Sequence, residues 1–264
     1  LDLSNIEDVE LERSIDKWMI SQLNLHIKEA TEALEVFQTR QALQHALFLL
    51  KKDVDHYTYR IRPLIDKQDP AVIYVLSTVL DNWIRLLAPF TPHTCEELWS
   101  TYGGEGFASE AAWPEYDESL IDGEIEASED LVQNIVKDIK EIKNIVDKES
   151  EKVHIYLAPE WKWELYRIAD EVGKPDVGQI IGRSIKENIL DDKKEIANAA
   201  KKAAREITKT KYIGKIDEAS ILEDAKDFIE EEIASELVIH TDDSYDPQNK
   251  ARNAMPYKPA IFME

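Results

Sequence analysis

Leu86-Leu87-Ala88-Pro89-Phe90-Thr91-Pro92-His93-Thr94-Cys95-Glu96-Glu97-Leu98-Trp99 decides how the first half of this chain folds, because it interrupts two runs of helix-forming residues at one corner. Pro89 lacks an amide hydrogen and biases Ala88 out of the helical region, so a helix arriving from Pro70 is expected to stop here. Thr91 is expected to cap the next helix through its hydroxyl, with Pro92 supplying a preset φ at the first helical position. Leu98 and Trp99 then fall on the face that looks inward.

Working outward, Leu11, Ile15, Trp18, Met19, Leu23, Ile27, Ala30, Leu34 and Phe37 recur at threes and fours, the spacing of a long helix with one buried stripe. Ala42, Leu43, Ala46, Leu47, Leu50, Val54 and Tyr57 mark a second helix to about Arg60, ended by Pro63. Asp69 as N-cap and Pro70 at the first position open a third. With the helix after Pro92 these make an antiparallel bundle. Gly103, Gly104 and Gly106 end it, and residues 110–126 are expected to lie over it as an extended strap.

The predicted boundary is near Ala127, giving a helical bundle with its strap over 1–126 and a smaller α+β domain over 127–264. Ser128 is expected to cap an amphipathic helix through Val146. Val153, Ile155 and Leu157 alternate with Lys152, His154 and Tyr156 as in a strand, and 236–240 gives another. Helices are expected from Pro159 to Val172, Val177 to Leu190, Asp191 or Asp192 to Lys209, and Ile221 to Glu231. Ala260 to Met263 reads as tail or as a short strand. The fold class is mainly α, a bundle followed by a small sheet covered by helices.

The chain has 264 residues, 43% of them apolar, six tryptophans and a net charge of −22, a globular composition. One cysteine, Cys95, excludes an internal disulfide framework and suits a reducing cytoplasm. The window 70–90 is apolar enough to raise a membrane reading, but Asp81, Asn82 and Arg85 interrupt it, so a buried core helix and no membrane are expected. The opening without an initiator Met suggests a piece of a longer protein. Acidity opposes polyanion binding, yet the charge is segregated: 105–130 holds ten acidic and no basic residues, whereas 183–215 holds ten basic against five acidic.

The Leu-Ala-Pro-Phe corner, the Pro-His and Glu-Glu-Leu-Trp that follow, and Trp113-Pro114-Glu115-Tyr116-Asp117 resemble the helical domain of class I aminoacyl-tRNA synthetases of the leucyl, isoleucyl and valyl group. Asp16-Lys17-Trp18-Met19-Ile20-Ser21-Gln22-Leu23-Asn24 looks like the start of the leucyl bundle. Asp246-Pro247-Gln248-Asn249-Lys250-Ala251-Arg252, with Pro256-Tyr257-Lys258-Pro259-Ala260-Ile261, is similar to the C-terminus of the archaeal and eukaryotic cytosolic leucyl type. The His-x-Gly-His and Lys-Met-Ser-Lys-Ser motifs of that family are missing from the sequence. The resemblance therefore implies a tRNA-docking region with no catalytic residue and no cofactor of its own. ATP and Mg belong to the parent ligase, and the expected partners are leucine tRNA and the parent's catalytic and editing domains. A cytoplasmic monomer is expected. The rivals are an isoleucyl or valyl region that reads anticodon bases, and a helical scaffold whose acidic surface binds basic proteins.

Candidate RNA contacts are Lys51, Lys52, Arg60 and Arg62, which lie near His56, Tyr57 and Tyr59 and so combine phosphate contact with stacking. The alternative makes Tyr57 core and leaves the charges solvated. Lys194, Lys201, Lys202, Arg205 and Lys209 fall on one basic helix, where three-and-four spacing is expected to place Lys194, Lys201, Arg205 and Lys209 near one face, with Ile196, Ala200, Ala203 and Ile207 elsewhere. Here too a merely solvated face is the alternative. By resemblance, Ala260, Ile261, Phe262 and Met263 read the tip of the long variable arm, without any core role; the alternative is an edge strand. His93-x-Cys95 has no second Cys or nearby His to complete a tetrahedral set, and Gly178-x-x-x-Gly182 has its glycines one residue too close and lacks the lysine of a phosphate loop, so neither is expected to bind a metal or a nucleotide.

Overall fold

The computed structural model describes residues 9–65, 67–146, 150–206, 212–241 and 245–264. It divides into two units, Leu1–Glu126 and Ala127–Glu264.

In the first unit, helix α1 (Ser14–Glu35) buries Trp18, Met19, Leu23, Ile27 and Ala30. The run predicted as one helix to Arg60 is α2 (Thr39–Leu43), a wider π-helical segment (Gln44–Leu49) and α3 (Leu50–Arg60) in unbroken succession. The π segment has a structural use: the Ala46 carbonyl accepts from Trp83 Nε1 at 2.7 Å. Pro63 does not simply end the run but sits in a one-turn helix α4 (Arg62–Ile65), near whose start no amide bond is forfeited. Helix α5 (Pro70–Leu87) begins as its sequence dictates, with the Asp69 carboxylate accepting from Val72 N at 3.1 Å. It is long and apolar enough to cross a membrane by composition, but Val72, Val75, Val79 and Leu86 are buried within the bundle.

The corner differs from its sequence reading in three details. Ala88 keeps right-handed helical angles, φ −52° and ψ −40°, so its burial in the corner outweighs the bias imposed by Pro89. Thr91 caps helix α6 (Pro92–Tyr102) without its side chain; the hydroxyl turns back to the Leu87 carbonyl at 3.4 Å. Trp99 is buried, but Leu98 is 45% exposed. Gly103, at φ +95°, ends the helix in the left-handed region, and a Cβ on Gly104 would lie 2.1 Å from the Trp99 ring. The strap is pinned to α1 through polar side chains: Trp113 Nε1 donates to Thr31 Oγ1 (2.9 Å), Asp117 N to Asn24 Oδ1 (2.7 Å) and Asp122 N to Ser21 Oγ (2.9 Å).

Asp16 is fully buried, and its carboxylate accepts from Tyr57 Oη at 2.7 Å and Arg13 Nε at 2.6 Å. Arg13 continues in a two-pronged pair to Asp69 at 2.7 and 3.0 Å. Burial and the neighbouring carboxylate hold the Tyr57 phenol protonated well above its usual range, and the guanidinium keeps Asp69 below the usual carboxylate range.

Helix α7 (Gly123–Val146) starts six residues earlier than predicted, because Asp122 rather than Ser128 accepts from the first-turn amides of Glu124 and Ile125. The second unit follows with β1 (Lys152–Tyr156), α8 (Glu160–Val172), α9 (Val177–Lys186), α10 (Lys193–Glu206), α11 (Glu218–Asp224), α12 (Lys226–Ile233), β2 (Glu236–His240) and β3 (Ala260–Met263). Strand β1 is central, parallel to β2 and antiparallel to β3. Val153, Ile155, Leu237, Ile261 and Met263 pack with α7, α11 and α12 residues in one core. Helices α8, α9 and α10 share a second core, in which Ala199, Ala200, Ala203 and Ala204 let α10 approach closely. Helix α9 is four residues shorter than predicted, and the single helix expected from Ile221 is two.

Replacing Asp16 by Ala leaves the buried Tyr57 hydroxyl without an acceptor and Arg13 with Asp69 as its one remaining carboxylate. A stability loss of about 1–3 kcal/mol is expected in denaturant melts, against under about 1 kcal/mol for removing the exposed Lys51–Asp55 pair.

Candidate nucleic-acid interface

Four predicted contacts lie on and just after α3. Lys51 and Lys52 are exposed, and Lys51 pairs with Asp55. Tyr57 belongs to the core, which decides against its stacking role. Tyr59 is 48% exposed instead, with the Arg62 guanidinium 4.3 Å from its ring centre, and Arg60 is half-buried. An exposed ring already layered with a guanidinium is a platform for a nucleic-acid base.

In the second unit Lys194, Lys201, Lys202 and Arg205 are all exposed on α10, opposite Ile196, Ala200 and Ala203. Lys209 and Ile207 lie outside the described residues. The basic residues divide otherwise than expected: Lys194 and Lys202, each four residues from Asn198 on one ridge, line a cleft, whereas Lys201 and Arg205, expected on the face of Lys194, do not. The cleft measures about 610 Å³ and is bounded across from α10 by the loop that carries Asn249, Arg252 and Asn253, with Trp161 at the start of α8. Lys202 Nζ reaches Asn253 Oδ1 at 3.1 Å.

The loop has little regular structure beyond a single turn, Ala251–Asn253, and is held by two charged side chains. Asp246 accepts from Lys250 N at 2.7 Å and Ala251 N at 2.8 Å. Lys162, 2% exposed, donates to the carbonyls of Arg252 (2.9 Å) and Ala254 (2.7 Å). Burial pushes the Lys162 ammonium down to about 8. None of Trp161, Lys162, Asn249, Arg252 and Asn253 stands out by spacing, since the partners are about ninety residues apart.

The residues 260–263 form β3, and this corrects the expectation that they lack a core role. Ile261 and Met263 pack on the sheet core, while Phe262 lies on the opposite face, 5.6 Å from His154. That face carries a further polar cluster: His154 Nδ1 is 2.9 Å from His240 Nε2, and Tyr156 Oη donates to the Tyr245 carbonyl at 2.8 Å. Strand β3 is at the sheet edge, so its outer backbone groups pair with no other strand among the described residues. Ile261, Phe262 and Met263 border a hollow of about 270 Å³ that Gln248 and Lys250 also line.

The turn leading into β3 hangs on Glu218, which is 4% exposed and accepts from Tyr257 N at 2.8 Å. Its second oxygen has no hydrogen-bond partner among the described residues, and burial pushes the carboxyl up to about 7.

No group of three or more His, Cys, Asp or Glu side chains that could hold a metal ion occurs among the described residues. Residues 16–157 match the family of the anticodon-binding domain of tRNA ligase, more than half of the chain, and the chain belongs to that family. It is similar to the leucine--tRNA ligases of Methanothermobacter thermautotrophicus (49% identity over 262 residues, 99% of this chain and 28% of the relative), Pyrococcus furiosus (42% over 260, 98% and 26%) and Methanosarcina mazei (39% over 266, 96% and 26%). The chain thus spans about a quarter of the length of these curated relatives.

Glu218 gives a pH prediction with a definite sign. Its carboxyl holds a proton in the folded state up to about 7 but releases it near 4.5 when unfolded, so its contribution to stability falls as pH rises from about 4.5 to 7. Glu218→Gln copies the protonated form. Melts should find it close to wild type at pH 4.5 and more stable at pH 8, by up to about 3 kcal/mol.

Proposed function

We propose that this chain is the tRNA-docking, C-terminal part of a leucine--tRNA ligase of archaeal type. In this reading the bundle holds the tRNA body and the second unit selects the long variable arm of leucine tRNA. The observation that carries it is the gathering of exposed cations on α10 and the adjoining loop in a chain of net charge −22, where only local charge can hold phosphate. The relatives, all leucine--tRNA ligases, support leucine tRNA over isoleucine or valine tRNA. The edge position of β3 supports a backbone reading of arm bases by Ala260, Ile261, Phe262 and Met263, because unpaired amides and carbonyls can hydrogen-bond exposed base edges. Lys51, Lys52, Arg60 and Arg62 on the bundle, with Lys201 and Arg205 on α10, act as phosphate contacts. ATP, Mg and the leucylation chemistry belong to the catalytic domain of the parent, which with the editing domain is this chain's covalent partner. The parent works as a cytoplasmic monomer.

Filter binding against leucine tRNA, isoleucine tRNA and an unrelated RNA tests this. Leucine tRNA should bind tightest. The triple replacement of Lys201, Lys202 and Arg205 by Ala should lower the slope of log affinity against log salt by roughly 0.7–0.9 for each phosphate no longer neutralised. An unchanged slope reassigns α10 to solvent, and equal binding of all three RNAs refutes the leucine reading.

A further inference from the structure

The cleft between α10 and the 245–255 loop is more than a basic surface. Its loop wall is rigidly built, since Asp246 ties the loop's own amides and the Lys162 ammonium ties its carbonyls from below. Asn249 holds φ at +55°, a left-handed angle that asparagine tolerates better than most residues. Both braces engage backbone, which leaves the side chains of Asn249 and Arg252 to the cleft. A wall ordered in advance spares a ligand the cost of ordering it.

The lining is chemically selective. Arg167 and Arg183, on the neighbouring helices α8 and α9, are tied to Glu164, Glu171 and Glu187. By contrast, the Lys194 and Arg252 side chains have no ion pair or hydrogen bond among the described residues, and the Lys202 ammonium meets only a neutral amide. The Asp192 and Glu195 carboxylates line the same cleft and offset the four cations Lys162, Lys194, Lys202 and Arg252 only in part, which leaves an excess of positive charge for an anion. Glu195 lines the same cleft, half-buried and with no hydrogen-bond partner for its carboxylate among the described residues. An acidic peptide would be repelled by it. A ligand with an anionic end and a hydrogen-bond-donating end satisfies both, as a carboxylate only accepts. Trp161, half-buried in the same lining, adds a flat aromatic surface, and about 610 Å³ lies within the range of small-ligand sites.

We infer that this cleft binds one unpaired nucleotide whose base carries an exocyclic amino group: the base lies against Trp161, its amino group donates to Glu195, and its phosphate meets Lys194, Lys202 and Arg252. The nucleotide can belong to RNA or be free; the RNA source rests on the tRNA-docking reading above. It differs from the β3 segment, which lines none of this cleft.

The 264-residue chain labelled with 5-fluorotryptophan gives a direct test, its six tryptophan signals resolved by 19F NMR and Trp161 assigned with Trp161→Phe. Leucine tRNA, AMP and UMP are titrated separately. The Trp161 signal should shift with leucine tRNA, and with AMP at lower concentration than with UMP. Trp161→Ala should weaken tRNA binding about fivefold to a hundredfold, the range for removal of one base stack, and Trp161→Phe should restore most of it. A shift with AMP but none with tRNA rejects the RNA source and leaves a free-nucleotide site. If tRNA is retained on filters while neither ligand moves Trp161, the cleft assignment is overturned and tRNA docking survives. If tRNA is not retained, the docking reading fails, and the AMP titration alone decides the cleft. The wild-type signals decide even if Trp161→Ala does not fold.

Discussion

The buried carboxylate of Asp16 is the constraint on which the first unit rests. A charge at zero exposure is tolerable only with its lone pairs filled, and the Tyr57 hydroxyl and the Arg13 guanidinium fill them from two directions. Because Tyr57 belongs to α3, and Arg13 also grips the residue that caps α5, one buried ion fixes the axial positions of three helices. Apolar burial makes these helices associate; Asp16 selects one arrangement from the many an oily interface permits. The second unit uses the same economy with different ions, since Lys162 orders a loop and Glu218 a turn, each by engaging backbone groups that lack a ladder of their own.

What was legible in the sequence follows from the range of the forces involved. Asp69 and Pro70 announced the start of α5 because capping acts within three residues. The alternation around Ile155 announced β1, and Val238 lies in a second run that became its parallel neighbour. Thr91 misled, since a hydroxyl free to cap was also free to bond the carbonyl four residues back, and the latter geometry prevailed. The basic face of α10 was readable, but its division was not: which lysines meet a partner depends on where residues 249–253 settle, set by Lys162 far upstream. For the same reason Tyr57 passed for a candidate stacking residue. Its hydroxyl finds Asp16, forty-one residues earlier, and periodicity alone says nothing of such a pairing.

Charge is handled in two ways along the chain. In the strap the acidic residues act locally, as Asp117 and Asp122 cap their own turns and Glu118 pairs with Lys28. On α10 Lys194 and Lys201 are exposed and have no ion pair among the described residues. At physiological ionic strength charges are screened beyond about 8 Å, so the acidic excess elsewhere has little effect on a phosphate already seated against α10. It does oppose RNA approaching along any other direction, which favours encounter through a few surfaces only.

The π segment at Gln44–Leu49 sets a phase. Each residue of an α-helix turns the chain by about 100°, so a wider turn before α3 shifts the direction in which every later side chain of that helix points. Tyr57 faces Asp16, and Tyr59 faces outward, only with that shift in place. Wound into regular α turns at unchanged length, the same run would carry Tyr57 away from its carboxylate and the Ala46 carbonyl away from Trp83. The segment is a register mark written into the backbone, and its length is held by residues distant from it in the chain.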